Sequence, residues 1–389
     1  MRYLDIDATK KISKIGLGTW QFGSAEWNYG EDYAREQAHA IVRRALELGV
    51  TLFDTAEIYG VAAHCRACRA LVHGVALGDA ARIAGFGRSE RILGQALEDS
   101  QDSFLATKFY PAVPVGRAMD RRAAASASRL RVRRIDLYQI HQPGRLLRTD
   151  AVMRSVRRLQ RARLVAEVGI SNGSLAAWNA AERALGSRVL SNQVGYSLVE
   201  RSAERALLPF AASNGRFVIA HSPLARGLLA GKYDRWNRPA DLARSTASLF
   251  HPENLDRAEG LIATLREVAR AHSVTPAQVA LAWVIRHPAV AAIPGASSVE
   301  QLEENVAAAD IQLADAEYRA LQVVSSQFVP ASSAATPFRR VRRRVVGWLS
   351  QQPVLATTEP RQENLGNLTK AGRGTLVSCE PSTIRPSGD

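Results

Sequence analysis

Three apolar runs in this chain each end in ionisable side chains. LFDTAEIYG, residues 52–60, places a carboxylate, Asp54, five positions before a phenol, Tyr59. FLATKFY ends on Lys108 and its neighbours, and IDLYQIHQPG carries His141. A phenol with its unperturbed pKa of about 10 is a reluctant proton donor. A nearby ammonium stabilises the phenolate and lowers that pKa, while a carboxylate holds the ammonium in place and charged. A set of these types is suited to delivering a proton to an oxygen on which negative charge develops. Taken singly, each residue has a plainer reading, since an Asp or Lys at a strand end is usually a cap or a surface charge and a lone His is usually structural. Their joint occurrence in order is what points to chemistry.

Groups at the ends of separate strands meet only if those strands finish at one place, as they do on the carboxyl-terminal face of an α/β barrel. Eight candidate strands lie near residues 15–19, 51–55, 104–109, 135–141, 165–171, 190–196, 217–222 and 291–294, the number that closes such a barrel. Helical patterns fall between them, near 33–48, 89–99, 175–185, 256–271 and 276–286, with Thr275 a cap and Pro276 a first-turn proline for the last. This alternation predicts repeated βαβ units. No GxGxxG follows a strand, which favours a barrel over a Rossmann domain. With 389 residues at 46% hydrophobic, the chain can build one large core.

These segments resemble the aldo-keto reductase family, whose members reduce carbonyls with a nicotinamide cofactor on a (β/α)8 barrel. The resemblance starts at KIGLGTWQFG and runs through DTAEIYG, GRSERILGQAL, ATKFY, IDLYQIHQP, VGISNGS, SNQVGYSLVER and HSPLARGLLAGKY to AAIPGASSVEQLEENVAAADI. It implies an α/β (TIM) barrel over residues 1–330 and NADPH-dependent reduction of an aldehyde or ketone to an alcohol. By the same resemblance Tyr59 is the general acid, Lys108 tunes it, Asp54 anchors Lys108, and His141 orients the substrate oxygen.

The resemblance also implies the cofactor contacts. Ser171, Asn172 and Gln193 match positions that hold the nicotinamide carboxamide, and Ser222, Leu224 and Gly227 match the loop that covers the pyrophosphate. His221 stands where many relatives have an aromatic ring to stack on the nicotinamide. Ser297, Gln301, Glu304 and Asn305 would line the adenosine pocket. Many relatives place a lysine and an arginine there for the 2′-phosphate, whereas this chain has Gly295 and Gln301, so the grip expected at those two positions is missing. Ser297 with a loop arginine such as Arg226 is a substitute. NADPH is the first choice and NADH the alternative. Trp20, Trp27, Tyr29 and Tyr110 are candidates for an aromatic-walled substrate cleft, Trp20 foremost.

Two regions depart from the resemblance. Residues 61–85 enter two residues after Tyr59, in a loop of the catalytic face, and contain HCRACRALVH. His64, Cys65, Cys68 and His73 are zinc-ligand types, but no second CxxC follows, so the segment reads as a helical lid or an incidental insertion and no metal is expected. Residues 331–389 form a basic tail, in which TPFRRVRRRVVGWL interleaves arginines with apolar residues, a composition that binds anionic surfaces weakly.

The net charge is +14 and the pI near 10.2. Outside the tail, the excess reads as arginine pairs on solvated helix faces, which predicts non-specific adhesion to polyanions at low salt and no specific nucleic-acid partner. No uncharged apolar run reaches the roughly 18 residues of a membrane span. The amino terminus lacks the apolar region of a secretory signal. With Cys65, Cys68 and Cys379 alone there is no disulfide framework, and a cytoplasmic enzyme is expected. A cofactor-binding regulatory or sensor subunit, and a surface-binding protein built on a reductase barrel, are the competing classes. Turnover of a carbonyl separates the enzyme from both.

Overall fold

Strand parity organises the interior. The computed structural model describes residues 1–7, 10–23, 31–60, 85–98, 100, 102–111, 116–143 and 148–331, and the backbone alone of 31–35, 242 and 243. Most of the extra segment, Trp27, Tyr29 and the tail fall outside these residues. The chain divides into two compact units, Met1–Ser332 and Ser333–Asp389, of which the second lies outside the described residues.

A short antiparallel hairpin, β1 (Tyr3–Asp5) and β2 (Lys11–Ser13), precedes the barrel. Eight parallel strands follow in sequential order: β3 (Leu17–Gly18), β4 (Leu52–Asp54), β5 (Phe104–Phe109), β6 (Ile135–Ile140), β7 (Val165–Ser171), β8 (Ser191–Gly195), β9 (Phe217–His221) and β10 (Val290–Ala292). Closure comes from parallel bridges of Ile15 to Ala292 and Gly18 to Gly295. The backbone bonds Gly16 N to Ala292 O (2.8 Å) and Gly18 N to Pro294 O (3.1 Å) complete it. This is the (β/α)8 barrel the pattern predicted.

The first and last strands are shorter than expected. A Cβ on Gly18 would meet Ile293 O at 2.7 Å, so this seam closes through bare backbone, and one on Gly16 would meet Leu52 O of β4 at 2.6 Å. The last strand stops at Ala292, two residues before Pro294, which has no N–H to offer a ladder.

Because side chains alternate across a strand, residues two apart share the barrel interior. Leu52, Phe104, Ala106, Leu137, Phe217, Ile219, Ala291 and Ile293 form one buried apolar cluster there, joined by Leu4, Ile6 and Ile12 from the hairpin, which plugs the amino-terminal end. Burying each Leu, Ile or Phe contributes about 1.5–3 kcal/mol. Continuing the same parity toward the carboxyl ends gives Asp54 after Leu52, Lys108 after Ala106, Gln139 and His141 after Leu137, and His221 after Ile219. Apolar residues thus fill the floor, and the polar ones emerge together at the top.

Helices α1 (Glu31–Glu47), α2 (Arg88–Ala96), α3 (Arg117–Arg129), α4 (Thr149–Arg161), α5 (Leu175–Leu185), α6 (Leu207–Ser213), α7 (Pro252–Ala271), α8 (Pro276–Ile285), α9 (Val299–Ala307) and α10 (Asp315–Gln327) accompany the strands. In α4 the buried residues Val152, Met153, Val156 and Leu159 recur at helical spacing, which sets the face turned to the barrel. The expected cap of α8 is a reciprocal box: Thr275 Oγ1 accepts from Gln278 N (3.3 Å) and Gln278 Oε1 from Thr275 N (2.9 Å). Helix α7 starts four residues earlier than expected, on Pro252 in its first turn. Among the described residues no helix is long and apolar enough to cross a membrane.

Candidate active site

At the carboxyl ends of the strands, Lys108 is fully buried beneath the barrel mouth and donates three hydrogen bonds. They go to Asp54 Oδ1 at 2.5 Å, the carbonyl of Thr55 at 2.8 Å and the phenol oxygen of Tyr59 at 3.1 Å. The second oxygen of Asp54 accepts from Gln193 Nε2 at 2.7 Å and Gln139 Nε2 at 3.2 Å. A buried ammonium and carboxylate survive only when paired and hydrogen-bonded, and here the amides complete that shell. Burial opposes the Lys108 charge, but Asp54 and Tyr59 outweigh it and hold the ammonium above its usual pKa.

The phenol differs from the sequence expectation. Burial, the largest influence, raises the Tyr59 pKa, Lys108 lowers it and Asp54 raises it, with a net upward direction. Tyr59 is therefore a neutral O–H at physiological pH. Its oxygen accepts from Lys108, so its own proton remains to be donated, and Lys108 stands ready to stabilise the phenolate that donation creates.

His141 follows β6 with its ring edge-on to Tyr59 (6.0 Å between centroids) and to Tyr110 (5.8 Å). Burial first, then Lys108 and His221, lower its pKa well below 6.5, so the imidazole is neutral. Its Nδ1 is buried without a partner among the described residues. Trp20 lies 6.5 Å from the Tyr59 ring.

A cleft of about 1030 Å³ opens above these groups. Its wall includes Asp54, Tyr59, His141 and Trp20, together with Ser171, Asn172, Gln193, His221, Ser222, Leu224, Gly227, Ser297, Gln301, Glu304 and Asn305. Of the described residues singled out from the sequence as site residues, Lys108 alone does not line the cleft, because it sits beneath Tyr59. The rim is strained: Asn172, Ser222, Ala225 and Arg226 have φ of 49–60°, left-handed values that non-glycine residues seldom adopt outside sites that hold them there. His221 Nε2 meets Asn172 Oδ1 at 3.1 Å and its Nδ1 meets Ser222 Oγ at 3.3 Å, so the imidazole is tied into this rim as a benzenoid ring would not be. At the other end of the cleft, Gln301 Oε1 accepts from both N–H and Oγ of Ser297, at 3.0 and 2.8 Å.

Several lining or supporting residues escaped the sequence reading. Gln139 was accessible to it, since it shares strand parity with His141. Lys232, Tyr233 and Arg244 also line the cleft, the last held by Asp241 Oδ2 at 2.6 Å; Lys232 and Tyr233 end the HSPLARGLLAGKY string without having been marked, and Arg244 comes from the stretch after it, which has no motif of its own. Glu57, within the DTAEIYG string, is fully buried behind the site and accepts the N–H of Tyr110 at 2.6 Å. Its partner is Arg122 of α3, through Nε at 2.9 Å and through Nη2, with the guanidinium 4.3 Å from the Phe109 ring. Beside it Glu90 accepts from Arg129 and from Thr107, both at 2.6 Å. Burial pushes the Glu57 carboxyl up against the pull of Arg122. Among the described residues no group of three or more His, Cys, Asp or Glu has metal-binding geometry, and HCRACRALVH lies outside them.

The partly buried histidines of the site imply a pH dependence of stability. Burial, with Lys108 and Arg226, lowers His221 from 6.5 to about 4. The unfolded chain thus binds protons that the native state refuses between those values, and stability falls as pH drops through that window. Glu57, raised by burial, acts in the opposite sense above 4.5, so a variant is needed to isolate the term. Urea titrations at pH 7 and pH 5 should show a smaller loss on acidification for His221→Phe than for the parent. Equal losses would remove His221 as a contributor.

Comparison with known proteins bears on this geometry. The model of the Aldo/keto reductase family matches residues 14–325. An uncharacterized oxidoreductase of Mycobacterium tuberculosis is 48% identical over 346 residues, covering 89% of this chain and 99% of that protein. The methylglyoxal reductase YeaE of Escherichia coli is 29% identical over 314 residues, covering 79% of this chain and 88% of the relative. A crystal structure of an aldo/keto reductase from Klebsiella pneumoniae in complex with NADP and acetate superposes with a TM-score of 0.62 at 28% identity, covering 83% of this chain and 95% of the other.

Proposed function

The chain belongs to the aldo/keto reductase family of oxidoreductases, and from that premise we propose that it reduces aldehydes or ketones to alcohols with NADPH, Tyr59 supplying the proton. The observation that carries this reading is the Asp54–Lys108–Tyr59 chain of hydrogen bonds ending at the cleft. A bound nicotinamide cofactor supplies the hydride. As charge builds on the carbonyl oxygen, the Tyr59 O–H delivers its proton, and the Lys108 ammonium stabilises the phenolate left behind. Asp54, held by Gln139 and Gln193, keeps that ammonium charged and in place. Neutral His141 donates a hydrogen bond to the same oxygen and orients the carbonyl.

The residues fit the cofactor. Ser171, Asn172 and Gln193 present amide and hydroxyl groups at one end of the cleft, and Arg226, Lys232 and Arg244 bring cations to a lining that also includes Ser297 and Gln301. Such loop cations would supply to a 2′-phosphate the charge that many relatives supply with a lysine and an arginine beside Ser297. The solved relative bound to NADP supports the same choice. The relative named for methylglyoxal makes a small reactive aldehyde the first substrate to try.

Oxidation of NADPH by the purified protein, followed by its absorbance with methylglyoxal and a panel of aromatic aldehydes, tests the reading. Tight NADPH binding without turnover of any carbonyl would favour the regulatory alternative. For the cofactor, the expected result is a modest NADPH preference that Gln301→Arg sharpens by roughly tenfold, the worth of one added charge-assisted hydrogen bond. Equal dissociation constants for NADPH and NADH that the substitution leaves unchanged would place the phosphate elsewhere.

A further inference from the structure

The excess positive charge is concentrated. Between Arg117 and Arg216 the chain has 19 arginines, no lysine and seven acidic residues, while the other 289 residues hold 32 basic and 30 acidic side chains. One quarter of the chain therefore supplies twelve of the fourteen net charges. That quarter builds β6, β7 and β8, which are neighbours in the sheet, and helices α3 to α6.

Within it, the arginines gather at one end of the barrel. Arg133 and Arg134 immediately precede β6, Arg161 and Arg163 precede β7, and Arg183 lies in the last turn of α5 before β8. All five are exposed, and their side chains make no ion pair or hydrogen bond among the described residues. The acidic residues of this rim are already engaged: Asp136 by Lys10, Glu167 by Arg188 and Glu182 by Arg216. The rim thus presents uncompensated guanidinium groups along three successive strand starts, at the end of the barrel opposite the cleft.

We propose that this arginine rim is a docking surface for an anionic phospholipid bilayer. Guanidinium groups pair with lipid phosphates through two parallel hydrogen bonds. A row of turns at one level suits a plane, whereas nucleic acid is read by an element that enters a groove or by aromatic platforms. Among the described residues between 117 and 216 no large hydrophobic side chain is exposed, so the rim offers no stacking ring there; Tyr3, 44% exposed on the hairpin at the same end, is an interfacial residue by type. Docked by the rim, the barrel keeps its cleft facing solvent.

The test uses the full chain and vesicles of phosphatidylcholine with or without phosphatidylglycerol. One variant carries Arg133→Gln, Arg134→Gln, Arg161→Gln and Arg163→Gln, and a second replaces Arg339, Arg340, Arg342, Arg343 and Arg344 by Gln. The parent should sediment with the anionic vesicles alone, with an affinity that falls as salt rises. The rim variant should bind at least roughly tenfold more weakly, given the attraction each basic residue near the surface contributes, with an unchanged melting curve. If that variant misfolds, Arg134→Gln and Arg163→Gln singly should each give a graded loss. Parental affinity in the rim variants, loss only in the tail variant, absence of vesicle binding by the parent at low salt, or binding to duplex nucleic acid without binding to vesicles would each overturn the proposal.

Discussion

Tyr59→Phe is expected to lower turnover of an aldehyde by roughly a hundredfold to ten-thousandfold, the range that a positioned general acid contributes. The substitution removes one oxygen and keeps the ring that packs beside Trp20 and His141. Cofactor affinity should stay within about twofold of the parent, a shift worth less than 0.5 kcal/mol, because Tyr59 OH bonds Lys108 and not the cofactor-end residues. The decisive comparison is kcat beside the NADPH dissociation constant from fluorescence titration. Near-parental kcat in the variant would show that another group gives the proton.

Lys108→Met should damage both turnover and stability, and the two effects have different origins. Turnover falls because the phenolate formed by proton donation loses the cation 3.1 Å away. Stability falls because Asp54, 1% exposed, is left as a buried carboxylate with two amide donors and no counter-charge. Removing one partner of a buried pair costs about 3–5 kcal/mol, and the surviving amides place this case toward the lower end. Adding Asp54→Asn to Lys108→Met should restore part of the stability and none of the activity. A double variant as unstable as the single one would mean that lost packing, and not an orphaned charge, sets the cost.

Much of this site was legible because strand parity and a few strings act together. Asp54, Tyr59, Lys108 and His141 were each marked by an apolar run ending in a polar residue, and the barrel brings the four to one place. Gln139 was marked as well, by sharing parity with His141, yet an amide in a strand attracts less notice than a charge. Arg244 was not legible, since nothing local shows that the stretch after HSPLARGLLAGKY folds back over the cleft, whereas Lys232 lay inside that string and was passed over. Glu57 was hidden for another reason. A carboxylate three residues after Asp54 looks solvated until the position of α3 is known, because its partner Arg122 lies 65 residues away in sequence. The hairpin plug was masked by its charges, which conceal the alternation of Leu4, Ile6 and Ile12.

The pairing of Glu57 with Arg122 has a consequence for how such a reductase can diversify. The turn that bears Tyr59 is fastened from the rear, by a helix that touches no part of the cleft, and the same carboxylate holds the start of the segment bearing Tyr110. The front of the site meets the same turn through the Trp20 ring, 6.5 Å from that of Tyr59, so changes at the front and at the rear act on Tyr59 through different contacts. The constraint runs the other way for α3: a chimera that imports this helix from a distant homologue without its arginine would carry every residue of the proposed reaction and still misplace Tyr59.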